Sequence, residues 1–127
     1  MLVEKGAKVL ITGRSYDKIE TVKQQLGLLG VSFDISDLEN IAAKTEECVR
    51  LLGGRVDVLI NNAGVGDFGP VDEINMTSFL KVFNTNVFGL ALLTKELVPI
   101  MKKQNQGTII NIGSSASVRG FKNGSVY

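Results

Sequence analysis

The chain has 127 residues, 44% of them hydrophobic, with 14 lysines and arginines against 13 aspartates and glutamates. That is length for one domain or part of one, with the composition of a soluble globular protein. With no histidine and a single cysteine, Cys48, the sequence excludes a Ser-His-Asp triad, a Cys-His dyad, an imidazole or thiolate metal site and an internal disulfide. A net charge of +1, with no basic run longer than Lys102-Lys103, leaves no phosphate-backbone footprint, so nucleic acid is not an expected partner.

The opening Met-Leu-Val-Glu-Lys-Gly is too short and too soon charged for a signal-peptide core, and no uninterrupted apolar run approaches the ~18 residues of a membrane span. A soluble, cytoplasmic chain is expected. Val9-Leu10-Ile11, closed by Thr12-Gly13, reads as a buried strand. Tyr16, Ile19, Val22 and Leu26 then recur at helical spacing, and Gly27 supplies a stop. A second strand is expected at Val31–Ile35. Ser36-Asp37-Leu38-Glu39 has the capping-box arrangement, opening a helix whose apolar stripe runs from Leu38 through Cys48 to Leu52, with Gly53-Gly54 after it. Val56–Ile60 gives a third strand, followed by Asn61-Asn62-Ala63-Gly64 and a loop to about Val71. From about Thr77 to Lys103 the apolar positions describe one long amphipathic helix, with Pro99 expected to kink its last turns. Thr108–Ile112 is the fourth strand, and a Ser/Gly-rich stretch leads to Tyr127.

Continuous apolar strands separated by helices indicate right-handed βαβ units, and therefore an α/β fold with a parallel sheet covered by helices on both faces. Ligands of such sheets bind beyond the carboxyl ends of the strands. There the sequence places Gly13-Arg14-Ser15, Asp34-Ile35, Asn61–Gly64 and Gly113-Ser114-Ser115. Asn61–Gly64 has two readings: a plain turn, since Asn and Gly tolerate left-handed angles, or a small-residue approach for a flat ligand with a carboxamide beside it. Arg14 reads either as a solvated loop cation or as the partner of a 2′-phosphate. A dinucleotide fold selecting NAD wants a carboxylate at the end of the second strand of the fold; here Gly13 stands at that position with a guanidinium next to it, which favours NADP(H) over NAD(H). Without histidine, carbonyl-alcohol chemistry needs a phenol or amine as acid/base and a neutral hydroxyl to hold the substrate oxygen, parts that tyrosine and serine can play.

Gly6-Ala7-Lys8-Val9 into Leu10–Arg14, Phe33-Asp34-Ile35, Asn61-Asn62-Ala63-Gly64, Asn84-Thr85-Asn86-Val87 and Ile110-Asn111-Ile112-Gly113-Ser114 stand in the order and approximate spacing of one family. Over its whole length the chain resembles the classical short-chain dehydrogenases/reductases. The resemblance implies a Rossmann-like doubly wound parallel sheet and an oxidoreductase acting on a small carbonyl or alcohol substrate. It makes Tyr127 the catalytic acid/base, Ser114 the hydroxyl on the substrate carbonyl, and Asn86 the holder of a proton-relay water. Ser115 and Ser117 compete with Ser114, and register with the family favours Ser114. On the cofactor side it implies Asp34 and Ile35 at the adenine, Asn62, Ala63 and Gly64 at its ribose side, Arg14 at the 2′-phosphate, and Tyr127 near the nicotinamide.

The departures shape the expectation equally. The family opens with a strand and a glycine-rich turn that binds the pyrophosphate, and it carries a lysine four residues after its tyrosine. This sequence starts after the first and stops before the second, so an incomplete fold is expected, its first strand and its C-terminal strands absent, with apolar edges and faces left open. Association through the 77–103 helix is an expected oligomer contact. The rival reading is a truncated, non-catalytic interaction or regulatory module.

Overall fold

The computed structural model describes residues 2–127. Four short parallel strands alternate with helices. Strand β1 (Leu10–Gly13) leads to helix α1 (Tyr16–Leu26), β2 (Leu29–Ser32) to α2 (Ile41–Leu52), and β3 (Val58–Asn61) to a long helix, after which comes β4 (Thr108–Asn111). That long helix is α3 (Met76–Phe83), a π-turn at Asn84–Gly89, and α4 (Leu90–Gln104). The strands form two separate parallel pairs, β1 with β2 and β3 with β4, with Leu10 opposite Leu29 and Val58 opposite Thr108.

Local chemistry sets the element ends. Ser15 caps α1 by accepting the Lys18 N–H, and Asn75 caps α3 by accepting the Ser78 N–H at 3.0 Å. Gly27, at φ 65°, and Gly53, at φ 88°, end α1 and α2 in the left-handed region that glycine tolerates best. Three expectations need correction. Helix α2 starts at Ile41, not in a capping box at Ser36, because Asp34 claims Ser36: its Oδ1 accepts both the Ser36 backbone N–H (2.9 Å) and the Ser36 hydroxyl (2.7 Å), making a turn. The second strand is Leu29–Ser32, earlier than Val31–Ile35, because that same turn takes the residues after Phe33. The long helix departs from α geometry at Asn84–Gly89 and stays α-helical through Pro99.

Alternation on the strands assigns the layers. Ile11, Gly13 and Gly30 share one face of the β1–β2 pair, and α1 lies directly on it: a Cβ on Gly30 would stand 2.6 Å from Ile19 Cγ2. Val31, on the opposite face, is buried, and α2 packs there. Helix α2 also packs on α4, and Val56, just before β3, and Leu59, on it, close the core against Leu97 and Met101. By length and composition the 29-residue helix 76–104 could cross a membrane, but Leu97 and Met101 spend its inner side on this core. The other face of the β3–β4 pair is open. Val58 is 51% exposed and Ile60 49%, beside Ile110 and Ile112, an uncovered apolar face.

Candidate active site

One helix fixes β3 at both ends through paired side-chain amides. At its start, Gln104 accepts the Val56 N–H and donates to the Val56 carbonyl, each at 2.9 Å. Beyond its end, Asn86 does the same to Val65: its Oδ1 accepts the Val65 N–H and its Nδ2 donates to the Val65 carbonyl, both at 2.8 Å. Asn86 projects from the π-turn, whose wider winding re-aims side chains relative to an α-helix. Its carboxamide keeps one lone pair and one N–H for a further partner.

Between those clamps, Asn61 is buried and donates through Nδ2 to Asn111 Oδ1 (2.8 Å) and to Thr94 Oγ1 (3.1 Å), tying β3 to β4 and to α4. Its own Oδ1 is buried without a partner among the described residues. Sequence reasoning weighted Asn62 and passed over Asn61. Strand alternation carried the signal, since Asn61 shares a face with the buried Leu59. Asn62, Ala63 and Gly64 follow and are exposed, and a Cβ on Gly64 would find its nearest neighbour, Asn86 Oδ1, 3.7 Å away. The space in front of this loop is therefore open to a flat ligand.

The loops after β1 and β2 lie together at the same end of their pair. Ser32 donates its hydroxyl to the Arg14 carbonyl (3.3 Å), and the Phe33 N–H donates to the Gly13 carbonyl (3.0 Å). The Arg14 side chain is exposed and has no carboxylate partner among the described residues. Asp34 has Oδ1 engaged by Ser36 and keeps Oδ2, while Ile35 is half-buried against the long helix. An unpaired guanidinium, a carboxylate with one oxygen to spare and small-residue backbone, all at strand C-termini, fit the 2′-phosphate, adenine and ribose of a dinucleotide.

Ser114 begins a short 3₁₀ turn just past β4. Its Oγ accepts the Ala116 N–H at 3.2 Å and retains its proton for donation, whereas the Ser117 hydroxyl is committed to the Ser114 carbonyl at 2.7 Å. Tyr127 sits edge-on to Phe68, ring centroids 5.7 Å apart, and Phe68 also meets Phe121 at 5.6 Å. The Gly69 N–H donates to the Asn123 carbonyl (2.8 Å) and the Ser125 hydroxyl to the Gly69 carbonyl (3.2 Å), so the terminal segment is strapped to the loop after β3. Asn86 and Tyr127 thus converge on that loop, and Ser114 follows the strand beside it. Among the described residues no hydrogen bond joins the three directly. No local pattern singles out Phe68 and Phe121, whose pairing depends on the strap.

The chain is thus a parallel α/β fold with glycines and with amide and hydroxyl side chains at the C-terminal ends of its strands, the end at which such folds bind ligands. The short-chain dehydrogenase family model matches residues 1–127, and the chain belongs to that family. It is 34% identical over 126 residues to human (Homo sapiens) retinol dehydrogenase 8, covering 98% of this chain and 40% of that protein. It is 35% identical over 129 residues to the NADP-dependent 3-hydroxy acid dehydrogenase YdfG of Salmonella typhi, covering 98% and 51%. Actinorhodin polyketide ketoreductase, solved with NADPH, superposes with a TM-score of 0.91 at 28% identity over 99% of this chain and 51% of its own. The chain therefore spans about half or less of the length of these relatives.

Proposed function

We propose that this chain forms the cofactor-facing part of an NADP(H)-dependent oxidoreductase acting between a carbonyl and an alcohol. The observation that carries the reading is Arg14: an exposed guanidinium without a carboxylate partner among the described residues, next to Gly13 at the end of β1, the strand end at which an NAD-selective site would hold an acidic group. The names of the NADP-dependent relative and the NADPH-bound structural neighbour support the same preference.

A bound nicotinamide would supply or accept the hydride. Arg14 pairs with the 2′-phosphate, Asp34 and Ile35 border the adenine, and Asn62, Ala63 and Gly64 offer backbone and amide groups to its ribose side. The Ser114 hydroxyl donates to the substrate oxygen, which strengthens as that oxygen gains charge. In the reductive direction the Tyr127 O–H bond breaks and its proton goes to the substrate oxygen. Asn86, while holding Val65, keeps an N–H and a lone pair with which to hold a water that returns the proton.

Fluorescence titration of the chain with NADPH and NADH tests the cofactor assignment, with Arg14→Asp as the comparison. NADPH is expected to bind tighter to the unsubstituted chain and to lose that advantage in the variant, by about tenfold or more for one charge-assisted pair worth roughly 1.5–3 kcal/mol. An unchanged NADPH-to-NADH ratio would place recognition of the 2′-phosphate elsewhere. The uncovered Val58, Ile60, Ile110 and Ile112 favour the second reading, a module that docks on another surface, and sedimentation of the chain as a monomer at high concentration would count against it.

A further inference from the structure

Gly89, the last residue of the π-turn, is buried and has ordinary right-handed helical angles, φ −61° and ψ −46°. No left-handed conformation calls for glycine here, and a helix interior otherwise favours alanine. Space is what calls for it. A Cβ on Gly89 would overlap the backbone carbonyl oxygen of Ile35, and would stand 2.8 Å from both the Asn84 carbonyl oxygen and Ile35 Cγ1. Two of those neighbours are backbone atoms, which no side-chain rotation can move aside. Ile35 belongs to the turn in which Asp34 holds Ser36 through its backbone N–H and hydroxyl.

We propose that Gly89 is a positioning residue for the adenine end of the nucleotide site. Its missing side chain lets the Asp34–Ser36 turn seat directly on the long helix, and so sets where Ile35 and the spare oxygen of Asp34 stand. This inference rests on the NADP(H) reading of the site. The π-turn then registers two nucleotide-facing loops at once: Asn86 holds the loop after β3 through Val65, and Gly89 seats the turn after β2. Such turns are often retained at functional sites because they set side-chain direction at a cost in helix geometry.

The test is Gly89→Ala in the 127-residue chain, followed by amide hydrogen exchange and by calorimetric titration with 2′,5′-ADP, the adenine half of the cofactor alone. The Ser36 amide is expected to lose protection while the Val65 amide, held independently by Asn86, keeps its own. Affinity for 2′,5′-ADP is expected to fall roughly ten- to hundredfold, the scale of an ångström-sized misplacement. A folded Gly89→Ala chain with unchanged Ser36 protection and unchanged 2′,5′-ADP affinity overturns the proposal. Failure of 2′,5′-ADP to bind the unsubstituted chain instead refutes the NADP(H) reading, and the Ser36 exchange still decides the role of Gly89. Should the variant not fold, the unsubstituted chain decides by its amide resonances: 2′,5′-ADP must shift Gly89 together with Asp34 and Ser36, and a shifted turn beside an unmoved Gly89 overturns the inference.

Discussion

Replacing Asn86 with alanine removes both halves of the clamp on Val65 and leaves a backbone N–H and carbonyl without their partner. Each bond is 2.8 Å long and partly buried, so water can reach the site and recover some of the loss. A fully buried orphan group costs about 1–3 kcal/mol, and a half-buried pair is expected to cost about 1–2 kcal/mol together. That is a roughly 5- to 30-fold loss of protection, read by hydrogen exchange at the Val65 amide. Asn86→Asp gives the sign a second check. The carboxylate still accepts the Val65 N–H but sets an oxygen against the Val65 carbonyl, so protection is expected to recover as pH falls through about 4 and the acid regains a proton to donate. A Val65 amide with undiminished protection in Asn86→Ala would refute the clamp.

Other consequences are equally direct. Gly30→Ala puts a methyl 2.6 Å from Ile19 Cγ2, and because Ile19, on α1, is buried against the β1–β2 pair the overpacking is expected to cost about 1–3 kcal/mol, seen as a lower melting temperature. Burial, with Glu47 adding to it and Lys44 opposing, pushes the Cys48 thiol up to about 11. Iodoacetamide is therefore expected to label the native chain slowly at pH 8 and faster only above about pH 10, where thiolate accumulates. Because the unfolded thiol ionises first, near pH 8.5 or so, the Cys48 contribution to stability is complete below that value and is lost as pH rises through about 11. Early labelling at pH 8 without unfolding would show that Cys48 is not enclosed by α2 and its neighbours.

The parallel α/β plan was legible because three of the four strands are apolar runs closed by glycine or asparagine, and the helices carry their own apolar stripes. What failed to show depends on contacts distant in sequence. Ser36 and Glu39 satisfy the spacing of a capping box, yet Asp34, two residues upstream, takes the Ser36 hydroxyl and moves the helix start to Ile41. Pro99 is conspicuous in the sequence, but α4 continues through it; the irregularity lies at Asn84–Gly89, where Val65 and Ile35 meet the helix. The division of the strands into two pairs is a matter of long-range pairing that no local pattern encodes. Asn86, Ser114 and Tyr127 are candidates that family register supplies, whereas Asn61 and Phe68 owe their places to strand alternation and to the Gly69–Asn123 strap.

On the proposed function, one end of this fold, built from the loops after the strands, receives NADP(H). Amide chemical-shift mapping of the 127-residue chain during titration with NADPH tests it most directly. Saturable shifts are expected at Gly13–Ser15, Asp34–Ser36 and Asn62–Val65. Shifts confined to other surfaces, or none from a chain shown by circular dichroism to be folded, would contradict it.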